Sequence, residues 1–169
     1  MNKRFRQYIG ICAAIAVYYL IHEGAHLITA LYYGVFRKIN LMGLGIQIDI
    51  YGECLTNVQL GIFCLAGAVS TLLFGWLLIA LAKKICKAKS KVFKTVMWYV
   101  TLAVLLIDPL YLSILCGFFG GGDMNGIRLL FPEVAVRTVF AGLGFVHSVV
   151  IWKYLLPEYT RAFAREDSA

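Results

Sequence analysis

Residues 20–27 read LIHEGAHL and place three chemistry-bearing side chains, His22, Glu23 and His26, inside a long apolar stretch. On a helix, positions i and i+4 share a face one turn apart, so the imidazoles of His22 and His26 can reach one ion. Glu23 directly follows the first histidine, where its carboxylate can face a water at that ion instead of the ion itself. In a zinc hydrolase that carboxylate is the general base. Zinc lowers the pKa of its water to about 7 and polarises a scissile carbonyl, which makes hydrolysis possible at neutral pH. Gly24 and Ala25, between the ligands, are small enough for a substrate or a neighbouring backbone to approach. An ionisable group at the centre of a bilayer costs about 2.5–3.5 kcal/mol on insertion scales, so three together need a partner or a cavity. A metal ion meets that need; a path for protons or metal ions is the competing use of the same residues.

The elements that must position these groups are membrane helices. Of 169 residues, 61% are hydrophobic and 15% charged, and the mean hydropathy of +0.79 lies well above that of soluble domains. The length suits a single membrane-embedded domain over 1–169 and leaves little room for a separate soluble module. Apolar runs at 8–33, 58–82, 95–119 and 134–156 each approach the roughly 20 residues a bilayer core requires. The expected fold is therefore an all-α integral membrane bundle of four transmembrane helices. MNKRFR followed by AAIA has the form of a signal peptide, but cleavage there would leave half a span attached to HEGAH, so the segment is expected to be retained.

Charge sets the expected orientation. The stretch KKICKAKSKVFK carries Lys83, Lys84, Lys87, Lys89, Lys91 and Lys94, and the N-terminus adds Lys3, Arg4 and Arg6. Both are placed in the cytoplasm by the positive-inside rule, and an even number of spans puts the C-terminal Lys153, Arg161 and Arg165 there too. Arg37, Lys38, Arg128 and Arg137 are then the basic residues outside. Topology thus accounts for the net charge of +7 and makes the lipid bilayer, not nucleic acid, the partner of the lysines. The setting that follows is a multi-pass protein of a bacterial cell membrane with both termini cytoplasmic. The five cysteines are scattered without a C-x-x-C pair and read as small apolar residues.

Further patterns bear on the site. INLMGLGIQIDIYG alternates Ile46, Ile48 and Ile50 with Gln47, Asp49 and Tyr51, a period-2 pattern bounded by Gly43, Gly45 and Gly52. It fits a short hairpin after the first helix, or an amphipathic loop over the helix ends. LAGAVSTLLFGWLL in the second span offers Gly67 and Thr71 at small-xxx-small spacing. Two aspartates compete as a third ligand. Asp108, in LLIDPLY, lies about ten residues from the outer end of its expected span, as deep as HEGAH, and beside a helix-kinking proline. Asp123, in GGGDMNGI, follows three glycines that free the backbone to re-enter between helices. Whichever does not bind is expected to support a ligand histidine. His147 is expected to hydrogen-bond Ser148 or a neighbouring helix.

HEGAH in a first transmembrane helix resembles the site-2 protease class of intramembrane zinc metalloproteases, as a small minimal member. The resemblance extends to the hairpin region and to Ala66-Gly67, which match the start of that family's A-G-P-x-x-N pattern, with Ala68 and Thr71 in place of its proline and asparagine. Gly122-Asp123 is similar to the Gly/Ser-Asp pair of small relatives, with Met124 following. The resemblance implies a Zn2+ cofactor held by His22, His26 and an aspartate, Glu23 as catalytic base, and a membrane-associated hairpin that offers Gly45 and Ile46 on an edge strand to substrate. Gly67 and Asn125 would also contact substrate. The implied reaction is hydrolysis of peptide bonds in or near transmembrane segments of membrane protein or peptide substrates. Two alternatives from other classes are a catalytically inactive protease-like scaffold and a metal-binding or transport protein. The charge rule opens the site to the non-cytoplasmic side, whereas many members of the class open to the cytoplasm.

Overall fold

A chain that crosses lipid must satisfy its backbone polar groups within each crossing, which favours helices. The computed structural model describes residues 2–42, 45–118 and 122–167. In chain order these form helix α1 (Lys3–Tyr32), strands β1 (Phe36–Met42) and β2 (Gly45–Ile50), and helices α2 (Asn57–Cys86) and α3 (Lys91–Ser113). A one-turn helix α4 (Met124–Ile127) follows, then α5 (Glu133–Val150), a π turn (Ile151–Leu155) and α6 (Leu156–Asp167). Four helices are long and apolar enough to cross a membrane: α1, α2, α3 and the rod Glu133–Arg165 that α5 and α6 share. The fold is the expected one, four membrane-crossing helices with a hairpin after the first.

The ends of the spans differ from expectation. Four of the six lysines expected between the second and third spans are helical, since α2 continues through Lys83 and Lys84 and α3 starts at Lys91 and includes Lys94, while Lys87 and Lys89 lie in the connection. Lysine stems extend a helix past the apolar core while their ammonium groups reach water. Ser90 caps α3 by accepting the Phe93 N–H at 3.2 Å, and Thr56 and Gln59 form a capping box that starts α2. At the other end α3 stops at Ser113, short of residue 119, and the Ser113 carbonyl accepts from Arg137 Nη1 at 3.0 Å. Asp108 is thus five residues from the end of its helix, not ten. In the last crossing Pro157 has no N–H to donate, and the π turn before it widens the rod to accommodate the ring.

Side-chain packing makes two apolar layers. Ala30, Val35, Ile48, Phe63, Ala68, Leu112 and Met124 form one at the hairpin end. Ala14, Leu78, Ala82, Val100, Val104 and Leu155 form the other at the lysine-rich end. Along each of the first three helices a polar residue falls between the layers: His22 on α1, Thr71 on α2 and Asp108 on α3, all buried. The hairpin is antiparallel, with Ile39 opposite Ile48 and Leu41 opposite Ile46. Buried Ile48 belongs to the first layer, which fixes β2 against α1. Gly43, and Gly120 and Gly121 of the three glycines before Asp123, lie outside the described residues.

Candidate metal centre

The helical spacing of HEGAH brings both imidazoles to one point. Nε2 of His22 and Nε2 of His26 are 3.2 Å apart. Asp123 completes the group, with Oδ2 at 3.2 Å from His22 Nε2 and Oδ1 at 3.5 Å from His26 Nε2. One donor atom from each residue can be chosen so that all three lie within 4.8 Å of one another.

The tautomers follow from the other ring nitrogens. His26 Nδ1 lies 2.8 Å from the Phe63 carbonyl, which can only accept, so Nδ1 carries the proton and Nε2 presents a lone pair. His22 Nδ1 lies 3.2 Å from Asp108 Oδ1 and donates to that carboxylate, so in the neutral ring Nε2 is the nitrogen left with a lone pair. Two lone pairs and a carboxylate converging at these separations repel unless a proton or a metal ion lies among them. The donor set of two imidazoles and one carboxylate suits zinc, and tetrahedral ligands at its usual bond lengths are separated by about 3.3 Å. The three residues could therefore hold a metal ion, and zinc is one that their chemistry suits.

Each donor is held by identifiable packing. Gly67 of α2 lies against the paired rings: a Cβ there would come within 2.6 Å of Nε2 of both His22 and His26. This glycine, expected to contact substrate, instead cradles the imidazoles and is not among the residues lining the adjoining cavity. Asp123 is set by the short helix after it. Met124 and Ile127 are buried anchors, and Gly126 packs directly on Cys64 of α2, where a side chain would collide with the sulfur. Gly122 has a φ of +40° and abuts the Tyr111 hydroxyl, so the turn that aims Asp123 suits glycine on both counts.

Asp108 stands behind His22, not among the three converging donors. Its Oδ1 accepts from the Tyr18 hydroxyl at 2.7 Å, and its Oδ2 accepts from Thr71. A buried carboxylate with two hydroxyl donors and an imidazole N–H is well satisfied, and it fixes the orientation of His22. Tyr18 also stacks on His22 with ring centroids 5.3 Å apart.

Glu23 points into a cavity of about 870 Å³. Its Oε2 accepts the Ile48 backbone N–H at 3.2 Å, a bond from β2 to α1. Gly45, Ile46 and Asn125 line this cavity with His22, His26 and Asp123, as do Tyr18 and Tyr111. Tyr18 and Tyr111 were not singled out in the sequence, although each lies one helical turn from a site residue: Tyr18 four before His22, Tyr111 three after Asp108. The bond from the Ile48 amide left no trace in the sequence. His147 lies apart: its Nδ1 donates to the Leu105 carbonyl at 2.8 Å, on the neighbouring helix and not to Ser148. No protein-family model, curated protein or solved structure matches the chain.

Proposed function

We propose that the chain is a zinc metalloendopeptidase of the site-2 protease type, cutting peptide bonds in or near transmembrane segments of membrane proteins. The observation that carries this reading is the convergence of His22 Nε2, His26 Nε2 and the Asp123 carboxylate beside Glu23, in a cavity bordered by a strand edge. His22, His26 and Asp123 would hold the ion, and the ion would supply the Lewis acidity that makes water nucleophilic near neutral pH. Glu23 takes the proton of the attacking water and returns it to the leaving amine. Asp108, with Tyr18 and Thr71, keeps the His22 ring turned so that Nε2 points toward His26 Nε2 and Asp123, the residues that would hold the ion with it. Asn125, which lines the cavity, would hydrogen-bond a substrate carbonyl. The resemblance of HEGAH and Ala66-Gly67 to the family supports the same assignment. The lysine-rich end is cytoplasmic on the charge rule, so the cavity opens to the opposite side.

The test is Glu23→Gln in zinc-loaded protein in detergent micelles, with fluorescein-labelled casein as an unfolded probe. Hydrolysis should fall by about 10²–10⁴-fold while zinc is retained. Undiminished hydrolysis in this variant removes Glu23 from the reaction. Zinc binding without hydrolysis by the parent points to a metal-binding or transport role.

A further inference from the structure

β2 pairs with β1 along one edge, and its other edge faces the cavity. In an antiparallel pair, residues alternate between those whose N–H and C=O meet the partner strand and those whose groups point away. Ile48 is of the second kind, because its N–H crosses to Glu23 Oε2 at 3.2 Å. Ile46 shares that orientation by the period of the strand, and Gly45 to Ile48 all line the cavity. A carboxylate oxygen of Glu23 therefore stands where the carbonyl of an added strand would accept.

We propose that the Ile48 amide is a latch on Glu23: it holds the carboxylate while the edge of β2 is empty and surrenders it to the carbonyl of an extended substrate segment. This rests on the proteolytic reading above and adds regulation to that site. The N–H cannot serve two acceptors at full strength, and its bond to an ionised acceptor is stronger than one to a neutral carbonyl. Only a segment that gains further contacts along β2 displaces the latch. The favoured substrate class is thus a segment already unwound and long enough to pair at both Ile46 and Ile48. A peptide that reaches the metal centre without covering the edge binds but turns over slowly, so the latch acts on kcat more than on KM. Ile48 is a positioning residue acting through its backbone.

The first test is hydrogen exchange at the residue 48 amide, followed by NMR on nitrogen-15-labelled, zinc-loaded full chain. Glu23→Ala should speed exchange at Ile48 by tenfold or more and leave Gln47 and Asp49, whose amides face β1, unchanged. Unaltered exchange at Ile48 with zinc intact overturns the latch. The second test is Ile48→Pro, which removes the N–H on the side away from the ladder. It should raise kcat several-fold on a quenched fluorescent tripeptide and lower it on labelled casein. Equal losses on both probes with zinc retained overturn the latch. Absence of hydrolysis by every form, with zinc bound, defeats the proteolytic reading and the substrate exchange with it, while the exchange rate still decides whether Ile48 holds Glu23. If Ile48→Pro fails to hold zinc, the Glu23→Ala exchange rate alone decides the latch.

Discussion

His26 and His147 are both buried histidines in apolar helices, and both give Nδ1–H to a backbone carbonyl of a neighbouring helix at 2.8 Å. They differ in what Nε2 meets. In His26 it faces the Nε2 of His22 and the carboxylate of Asp123. In His147 it has no hydrogen-bond partner among the described residues, and the ring sits edge-on to Trp76 with centroids 5.6 Å apart. Burial is thus shared, as is the Nδ1–H bond to a carbonyl, and neither distinguishes a candidate ligand from a packing residue. What distinguishes them is a second imidazole nitrogen, one turn away on the same helix, and a carboxylate that arrives at the same point from a distant part of the chain.

The largest expected effect comes from deleting each ring. His26→Ala should abolish stoichiometric zinc binding. His147→Ala should keep zinc and instead lower the melting temperature, because the Leu105 carbonyl loses its donor and a cavity opens. Equal zinc loss in the two variants would break the distinction.

A smaller effect is expected from the glycines beside the pair. Gly67→Ala brings a Cβ against both Nε2 atoms; an overpacking cost of about 1–3 kcal/mol corresponds to roughly a 5- to 150-fold loss of zinc affinity. Gly24→Ala, where a Cβ would meet nothing within 4 Å, should leave affinity unchanged. Competition with a chromophoric chelator measures both.

Comparable and then smaller effects are expected from the support behind His22. Asp108→Asn should weaken zinc by about 10- to 100-fold without changing stoichiometry at saturating metal. Tyr18→Phe removes one of the hydroxyls that Asp108 accepts from. At about 0.5–1.5 kcal/mol for that bond, the loss of affinity should stay within roughly tenfold. The same chelator titration ranks the two.

The sequence made part of this legible because the signals are local. The i, i+4 spacing of His22 and His26 contains their meeting, apolar run length contains the four crossings, and period-2 alternation contains β2. The third donor was left open between Asp108 and Asp123 because no local pattern encodes it. Asp123 arrives through the burial of Met124 and Ile127 and the contact of Gly126 with Cys64, all tertiary facts. Asp108 sat at the right depth and beside a proline, yet its partners are Tyr18 and Thr71 from two other helices. The span ends were misplaced where lysine stems prolong a helix beyond its apolar core. Gly67 was read as a packing or substrate residue because nothing in α2 alone reveals the two rings pressed against it.

The most direct measurement of the central claim is the metal content of the purified full chain prepared without chelators, beside Asp123→Asn and Asp108→Asn. The expected result is one zinc per chain in the parent and in Asp108→Asn at saturating metal, and loss of that zinc in Asp123→Asn. A parent without stoichiometric zinc, or an Asp123→Asn variant that binds it as tightly as the parent, would contradict the assignment of His22, His26 and Asp123 as a metal centre.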